Sequence, residues 1–175
     1  MEDKELIYKI QHGNKELLEI LIEKYYDDIY RFCYYKTGNS SLSYDLTQET
    51  FLKLIKYIGT YKHRGKFKSY LIIIAMNVCN TYFDENKVEL EELDDNQTYK
   101  ENDSNELSRI EQKNSIDKAL KELPEKQKEV IILKYYEDLK IKDISKILDE
   151  KVPIIKSRLK QGIEKLSRYL GKEDF

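Results

Sequence analysis

Tryptophan is absent from this sequence, and proline and glycine are scarce, with 2 and 6 copies among 175 residues. Chains so poor in turn-formers and helix breakers do not build sheets with many tight turns, so an all-α fold is expected. The cysteines number only two, Cys33 in RFCYYK and Cys79 in MNVCNTYF, and neither belongs to a CxxC or Cys/His cluster. A disulfide scaffold is thereby excluded, and both read as reduced, buried, small apolar residues. No apolar run approaches the ~20 residues of a membrane span. The longest, YLIIIAM at 70–76, suits a buried helix, and the acidic start MEDKEL lacks the basic flank of a signal peptide. A cytoplasmic protein without membrane insertion is expected.

Histidine is equally sparse. His12 and His63 stand far apart in sequence, and the carboxylates Asp27, Asp28, Asp45 and Glu49 have neither a neighbouring His nor a Gly-rich phosphate loop. No catalytic residue, cofactor or metal is expected, and the chain does not read as an enzyme.

What the sequence does hold is charge, unevenly spread behind a formal net of -2. Residues 1–88 carry 13 Lys and Arg against 12 Asp and Glu, residues 89–111 carry 2 against 9, and residues 112–175 carry 16 against 12. A balanced start, an acidic middle and a basic end suggest separate parts with separate partners.

Apolar residues recur with helical spacing from Lys4 to Leu21, interrupted by HGN at 12–14, and again from Leu21 to Tyr35. TGNSSLS at 37–43 is turn chemistry, from which a helix is expected at about Ser43, running through DLTQETFLKLIKYI. Ser43 would cap it, with Asp45 in the first turn. A loop, GTYKHRGKFK, precedes a further helix from about Ser69 to Phe83. Between Glu85 and Ser108 the chain is acidic, Asn-rich and aperiodic, the composition of a flexible linker. The expected organisation is two small helical domains, 1–87 and 109–175, joined by an acidic linker at 88–108. In the second domain helices are expected over about Ser108 to Lys121, Pro124 to Tyr136 and Ile141 to Leu148. Leu123-Pro124 marks one boundary.

IKDISKILDEKVPIIKSRLKQGIEKL has the layout of a helix-turn-helix, with DEKV as the turn and Pro153 opening the second helix. A period of 3.6 puts Ile155, Leu159, Gly162, Leu166 and Leu170 inward and Ser157, Lys160, Gln161, Glu164 and Arg168 outward. Ile154, Lys156, Arg158 and Lys165 lie on the flanks. Ser157 and Gln161 suit base edges, Ile154 a thymine methyl, and the flanking Lys156, Arg158 and Lys165 the phosphates. From Lys151 to Lys172 there are seven cations against one carboxylate. A solvated basic helix would carry similar residues.

In YKHRGKFKSY at 61–70, Lys62, His63, Arg64, Lys66 and Lys68 interleave with Tyr61, Phe67 and Tyr70. Rings stack on unpaired bases while cations follow the backbone, so the loop suits a single strand. A loop edge with solubilising lysines would look alike.

These motifs together resemble the bacterial RNA polymerase sigma factors of the sigma-70 superfamily, extracytoplasmic-function (ECF) type. DLTQETFLKL at 45–54 and YLIIIAMN at 70–77 resemble that family's region 2, and ALKELPEKQKEVIILKYYEDLKIKDISKIL with IIKSRL resembles its region 4. The resemblance implies a promoter-specificity subunit that binds core RNA polymerase. Asp45, Gln48, Glu49 and Leu52 would dock on the β′ clamp, while region 4 would sit on the β flap. Tyr61, Lys62, Arg64, Lys66, Lys68, Asn77 and Asn80 would open the minus-ten element, and Ile154, Lys156, Ser157, Arg158, Lys160 and Gln161 would read the minus-thirty-five element. An anti-sigma factor is a further implied partner. The chain departs from the family at Tyr70, where Trp is usual, at Asp84 and Glu85, where arginines are usual, and at Asp149, where the turn has Gly. Two rival readings are a helix-turn-helix repressor or activator whose first domain senses something or dimerises, and a helical adaptor or anti-sigma-like interaction protein that has lost DNA binding.

Overall fold

The computed structural model describes residues 1–87 and 115–171. The linker expected at 88–108 and the start of the helix expected from Ser108 lie outside the described residues. All regular structure among the described residues is helical, as the shortage of helix breakers requires.

The first half holds α1 (Asp3–Gln11), α2 (Leu17–Thr37), α3 (Ser40–Tyr57) and α4 (Phe67–Glu85). The HGN break separates α1 from α2, with Gly13 at φ +104°. Gly38 ends α2 in the left-handed region at φ +65°, where its N–H reaches back to the Tyr34 carbonyl. The helix expected at Ser43 begins three residues earlier. Asn39 is the cap, its side chain accepting from the Leu42 N–H at 2.9 Å. Ser43 is instead buried within α3, its hydroxyl donating to the Asn39 carbonyl, and Asp45 falls in the second turn. α4 also extends past its expected ends, to Phe67 and Glu85.

Leu21, Ile29, Phe32, Leu54, Leu71 and Ile72 are fully enclosed where α2, α3 and α4 meet. Each contributes about 2 kcal/mol of burial. Cys33 and Cys79 lie in this core as free thiols 3.9 Å apart, in the small-apolar role expected of them.

The second half holds α5 (described over 115–121), α6 (Glu125–Ile131), α7 (Ile141–Leu148) and α8 (Val152–Leu170). Pro124 precedes α6, as its ring geometry favours. The α-helix expected to reach Tyr136 stops at Ile131. Ile132–Tyr136 widens into a π turn, in which the Glu137 N–H bonds to the Ile132 carbonyl at 3.0 Å. Val130, Ile131, Ile132 and Leu133 are all buried, so the helix is enclosed on every side at this point. At its end Tyr136 and Glu137 face the first half, where they meet Tyr35 and Lys68.

The two helical domains pack on one another, α4 against α7 and α2 against the π turn, and one apolar cluster runs through both. The Tyr35 and Tyr136 rings lie 4.1 Å apart across the contact. Lys36, whose side chain is only 1% exposed, pairs through Nζ with Glu125 and with Glu129 at 2.6 Å. Burial alone would lower the Lys36 pKa, but Glu129 and Glu125 override it and hold the value above that of an ordinary lysine.

Candidate nucleic-acid interface

Three surfaces carry the residues singled out by sequence. The first is the outer strip of α3. Leu46, Thr47, Thr50, Phe51 and Leu54 turn inward, which leaves Asp45, Gln48, Glu49 and Leu52 on the opposite side, all exposed. The inward threonines satisfy their hydroxyls on carbonyls one turn back, Thr47 on Ser43 and Thr50 on Leu46, both at 2.7 Å. Leu52 is 66% exposed beside the carboxylates, and Ile55 extends the strip at 43%. Apolar side chains exposed next to one another on a single strip, rimmed by polar groups, suit a protein contact. Ile55 was missed by sequence reading, although it stands three residues beyond Leu52 in the same strip.

The second surface is the loop that enters α4. Gln11 donates to the carbonyls of Ile58 and Tyr61, each at 2.8 Å, so α1 pins the loop from below. Tyr61 is 4.5 Å from Tyr70 and 5.5 Å from Phe67, centroid to centroid, and this ring cluster holds the loop against α4. Lys62, Arg64 and Lys66 project into solvent. Lys68 does not. Its Nζ lies 3.1 Å from an Asp28 oxygen and 3.1 Å from Glu137 of the second half. Asn77 is exposed two turns beyond Tyr70, with Ile73 between them on the same strip. Asn80 lies further along, at a cleft it shares with Lys36, Asp84 and Glu125. A larger cleft, about 570 Å³, opens between the loop and α7, where Ile73 and Lys146 join its walls. Neither residue stood out by composition.

The third surface is the outer side of α8. α7 ends at Asp149, whose φ of +51° makes the left-handed turn without glycine. The Ser145 hydroxyl bonds to the Glu150 carbonyl, and Arg158 Nη2 meets Glu150 Oε1 at 2.7 Å, so the turn is braced on both sides. Ile155 is fully buried, and Gly162 allows close approach: a Cβ there would lie 2.6 Å from Ile131 Cδ1. With those residues inward, Ile154, Lys156, Ser157, Lys160 and Gln161 are exposed on the outside. Gln161 also accepts from Gln127 at 3.1 Å. Arg158, grouped with the DNA-facing cations by spacing, is half-buried and serves the turn.

Burial is the largest influence on Glu137 and raises its pKa, while Lys68 and Arg31 pull the other way. Among the described residues no cluster of His, Cys, Asp and Glu is arranged to hold a metal, and no helix is long and apolar enough to cross a membrane.

Among the described residues the chain is all-helical, with a helix-turn-helix in its second half and a basic, aromatic loop in its first, the layout of a DNA-binding protein of two helical domains. Its sequence matches the model for Sigma-70 region 2 over residues 21–88 and the model for Sigma-70, region 4 over residues 113–166. It is 27% identical over 172 residues to the ECF RNA polymerase sigma factor BldN of Streptomyces coelicolor, covering 95% of this chain and 65% of BldN. It is also 27% identical to the ECF RNA polymerase sigma factor SigW of Bacillus subtilis, covering 95% of this chain and 96% of SigW. In fold it resembles the sigma factor RpoE, solved in complex with the anti-sigma factor NepR from Bartonella quintana. The TM-score is 0.76 at 20% identity, over 90% of this chain and 98% of RpoE. The chain therefore belongs to the sigma-70 family, in its extracytoplasmic-function branch. It is a non-catalytic factor of promoter-specific transcription initiation.

Proposed function

We propose that residues 1–87 and 109–175 act as region 2 and region 4 on a cytoplasmic core RNA polymerase, with 88–108 as the linker between them. Asp45, Gln48, Glu49 and Leu52 dock on the β′ clamp. Region 4 rests on the β flap and offers Ile154, Lys156, Ser157, Lys160 and Gln161 to the minus-thirty-five duplex, with Arg158 bracing the turn behind them. Region 2 opens the minus-ten element and takes up a displaced base against Tyr61, Lys62, Arg64, Lys66, Lys68, Asn77 and Asn80. Strand opening follows if this surface binds a single strand better than the duplex, because only differential affinity moves that equilibrium. An anti-sigma factor, the kind of partner seen with RpoE, is proposed as its regulator.

The observation that carries this reading is the occurrence, on one chain, of an exposed acidic and apolar strip on α3 and a free polar face on α8. A repressor needs the second, and an acidic strip is poorly suited to pairing with its own copy, where like charges would face one another. Run-off transcription tests it. Core polymerase with this protein is expected to initiate at a cognate promoter, and Glu49→Lys to abolish core binding with the helical circular dichroism unchanged. Normal core affinity in that variant would sink the docking assignment.

A further inference from the structure

A cavity of about 180 Å³ lies where the end of α2 meets α5 and α6. Tyr34, Tyr35 and Leu120 give it apolar walls, and two cations, Lys121 and Lys128, share its lining. Lys121 stands at the edge, its Cε 3.0 Å from where a Cβ on Gly38 would be, at the residue that ends α2. Lys128 is a different kind of lysine. It is only 9% exposed, and among the described residues no hydrogen bond or ion pair reaches its ammonium. The nearby acids Glu125 and Glu129 are both paired with Lys36. Burial is the largest influence on the Lys128 pKa and lowers it; Lys36 and Lys121 lower it further, and Glu125 and Glu129 pull the other way without restoring it. A cation nine-tenths buried without a counterion costs stability, a cost that an entering anion removes.

We propose that this cavity is a binding site for a small carboxylate with a flat or branched apolar body. Its anionic end meets Lys128 and Lys121, and its body rests against Tyr34, Tyr35 and Leu120. The volume is below that of drug-sized sites and suits a molecule of roughly ten non-hydrogen atoms. Asp117 also lines the cavity, so a second negative charge is disfavoured and the occupant is a monoanion. None of the lining residues is among those assigned above to DNA or to polymerase. Because α2 supplies one wall and α5 and α6 the others, the occupant binds the two halves together better than apart, which is what a regulatory ligand requires.

The test is thermal unfolding of the full chain with benzoate, phenylacetate and isovalerate as probes, each set against its neutral amide, which has the same shape without the charge. At least one carboxylate is expected to raise the melting temperature by about 3 °C or more at about tenfold its dissociation constant, while its amide and the dianion isophthalate do not. Lys128→Met, which keeps the length and removes the charge, is expected to lose that shift. Without a probe the same variant should melt no lower than the wild type, because the folded chain holds the Lys128 proton less readily than an exposed lysine does, and the charge therefore weighs against folding. Lys126→Met, at an exposed position of the same helix, should keep the shift. If none of the carboxylates moves the melting temperature, if an amide moves it as far, or if Lys128→Met keeps the shift, the inference falls while the function proposed above stands. Circular dichroism checks each variant, and should Lys128→Met lose helix, Lys128→Gln decides in its place.

Discussion

The two surfaces proposed to meet DNA are held in different ways. On α8 the proposed readout residues stand on one side of a continuous helix, fixed by Ile155 and Gly162 on the other, and nothing among the described residues covers them. On region 2 the basic loop is irregular, kept in place by Gln11 and a ring cluster, and α7 faces it across a cleft. A duplex reader needs a rigid side-chain register, which a helix supplies once its inner face is buried. A strand-binding surface needs rings and cations within reach of a flexible partner, and such a surface also attracts the chain's own carboxylates.

The sharpest way to break this contrast is Ile155→Asp. An unpaired carboxylate in the fully enclosed site under α8 is expected to cost about 4 kcal/mol or more, melting the second half in a urea titration while α3 still binds core polymerase. Ile154→Asp, one position outward, should leave stability nearly unchanged. Next comes Lys36→Ala, which strands the half-buried Glu129 and is expected to cost about 2 to 3 kcal/mol by denaturant midpoint. A loss under about half a kilocalorie would mean that the contact between halves is held by its apolar packing, Tyr35 on Tyr136 included, and not by this pair. Smaller again is the difference between neighbours on α8. Arg158→Ala should lose about 1 kcal/mol of stability with the brace to Glu150. Lys156→Ala should leave stability alone and reduce the slope of log affinity against log salt by about 1. The smallest effect is on pH dependence. Glu137 binds its proton more readily when buried than when exposed, so closed packing takes up a proton. Its contribution therefore grows as pH falls from above the raised value toward the ordinary 4.5 and is lost as pH rises. The melting temperature of the wild type, relative to Glu137→Gln, should improve on acidification through that window.

Much of this architecture is readable from spacing. The inward and outward sides of α8 follow from Pro153 and a 3.6 period, and the strip on α3 follows from the same rule applied to DLTQETFLKL. The start of α3 was misplaced because TGNSSLS holds several residues able to cap, and the choice of Asn39 over Ser43 depends on which one the packing leaves in extended conformation. Lys68 and Arg158 looked like free cations because charge counts carry no information about pairing. The partners of Lys68 are Asp28 on α2 and Glu137, 69 positions away in the second half, and that of Arg158 is reached only after a turn whose φ of +51° is carried by an aspartate. The π turn was illegible for a related reason: IILKYY reads the same whether its turns hold 3.6 residues or more.

That turn also sets a phase. A π turn is an α-helix with one residue too many, and everything after it is rotated by about a quarter of a circle or more relative to an uninterrupted helix. Tyr136 and Glu137 owe their heading to that offset. Shortening 132–136 by a single residue would return the segment to α phase and aim both side chains elsewhere, with every residue on α3, the loop and α8 unchanged. In evolutionary terms, the coupling between the halves is adjustable by an insertion or deletion of one codon, independently of the promoter sequence the factor reads.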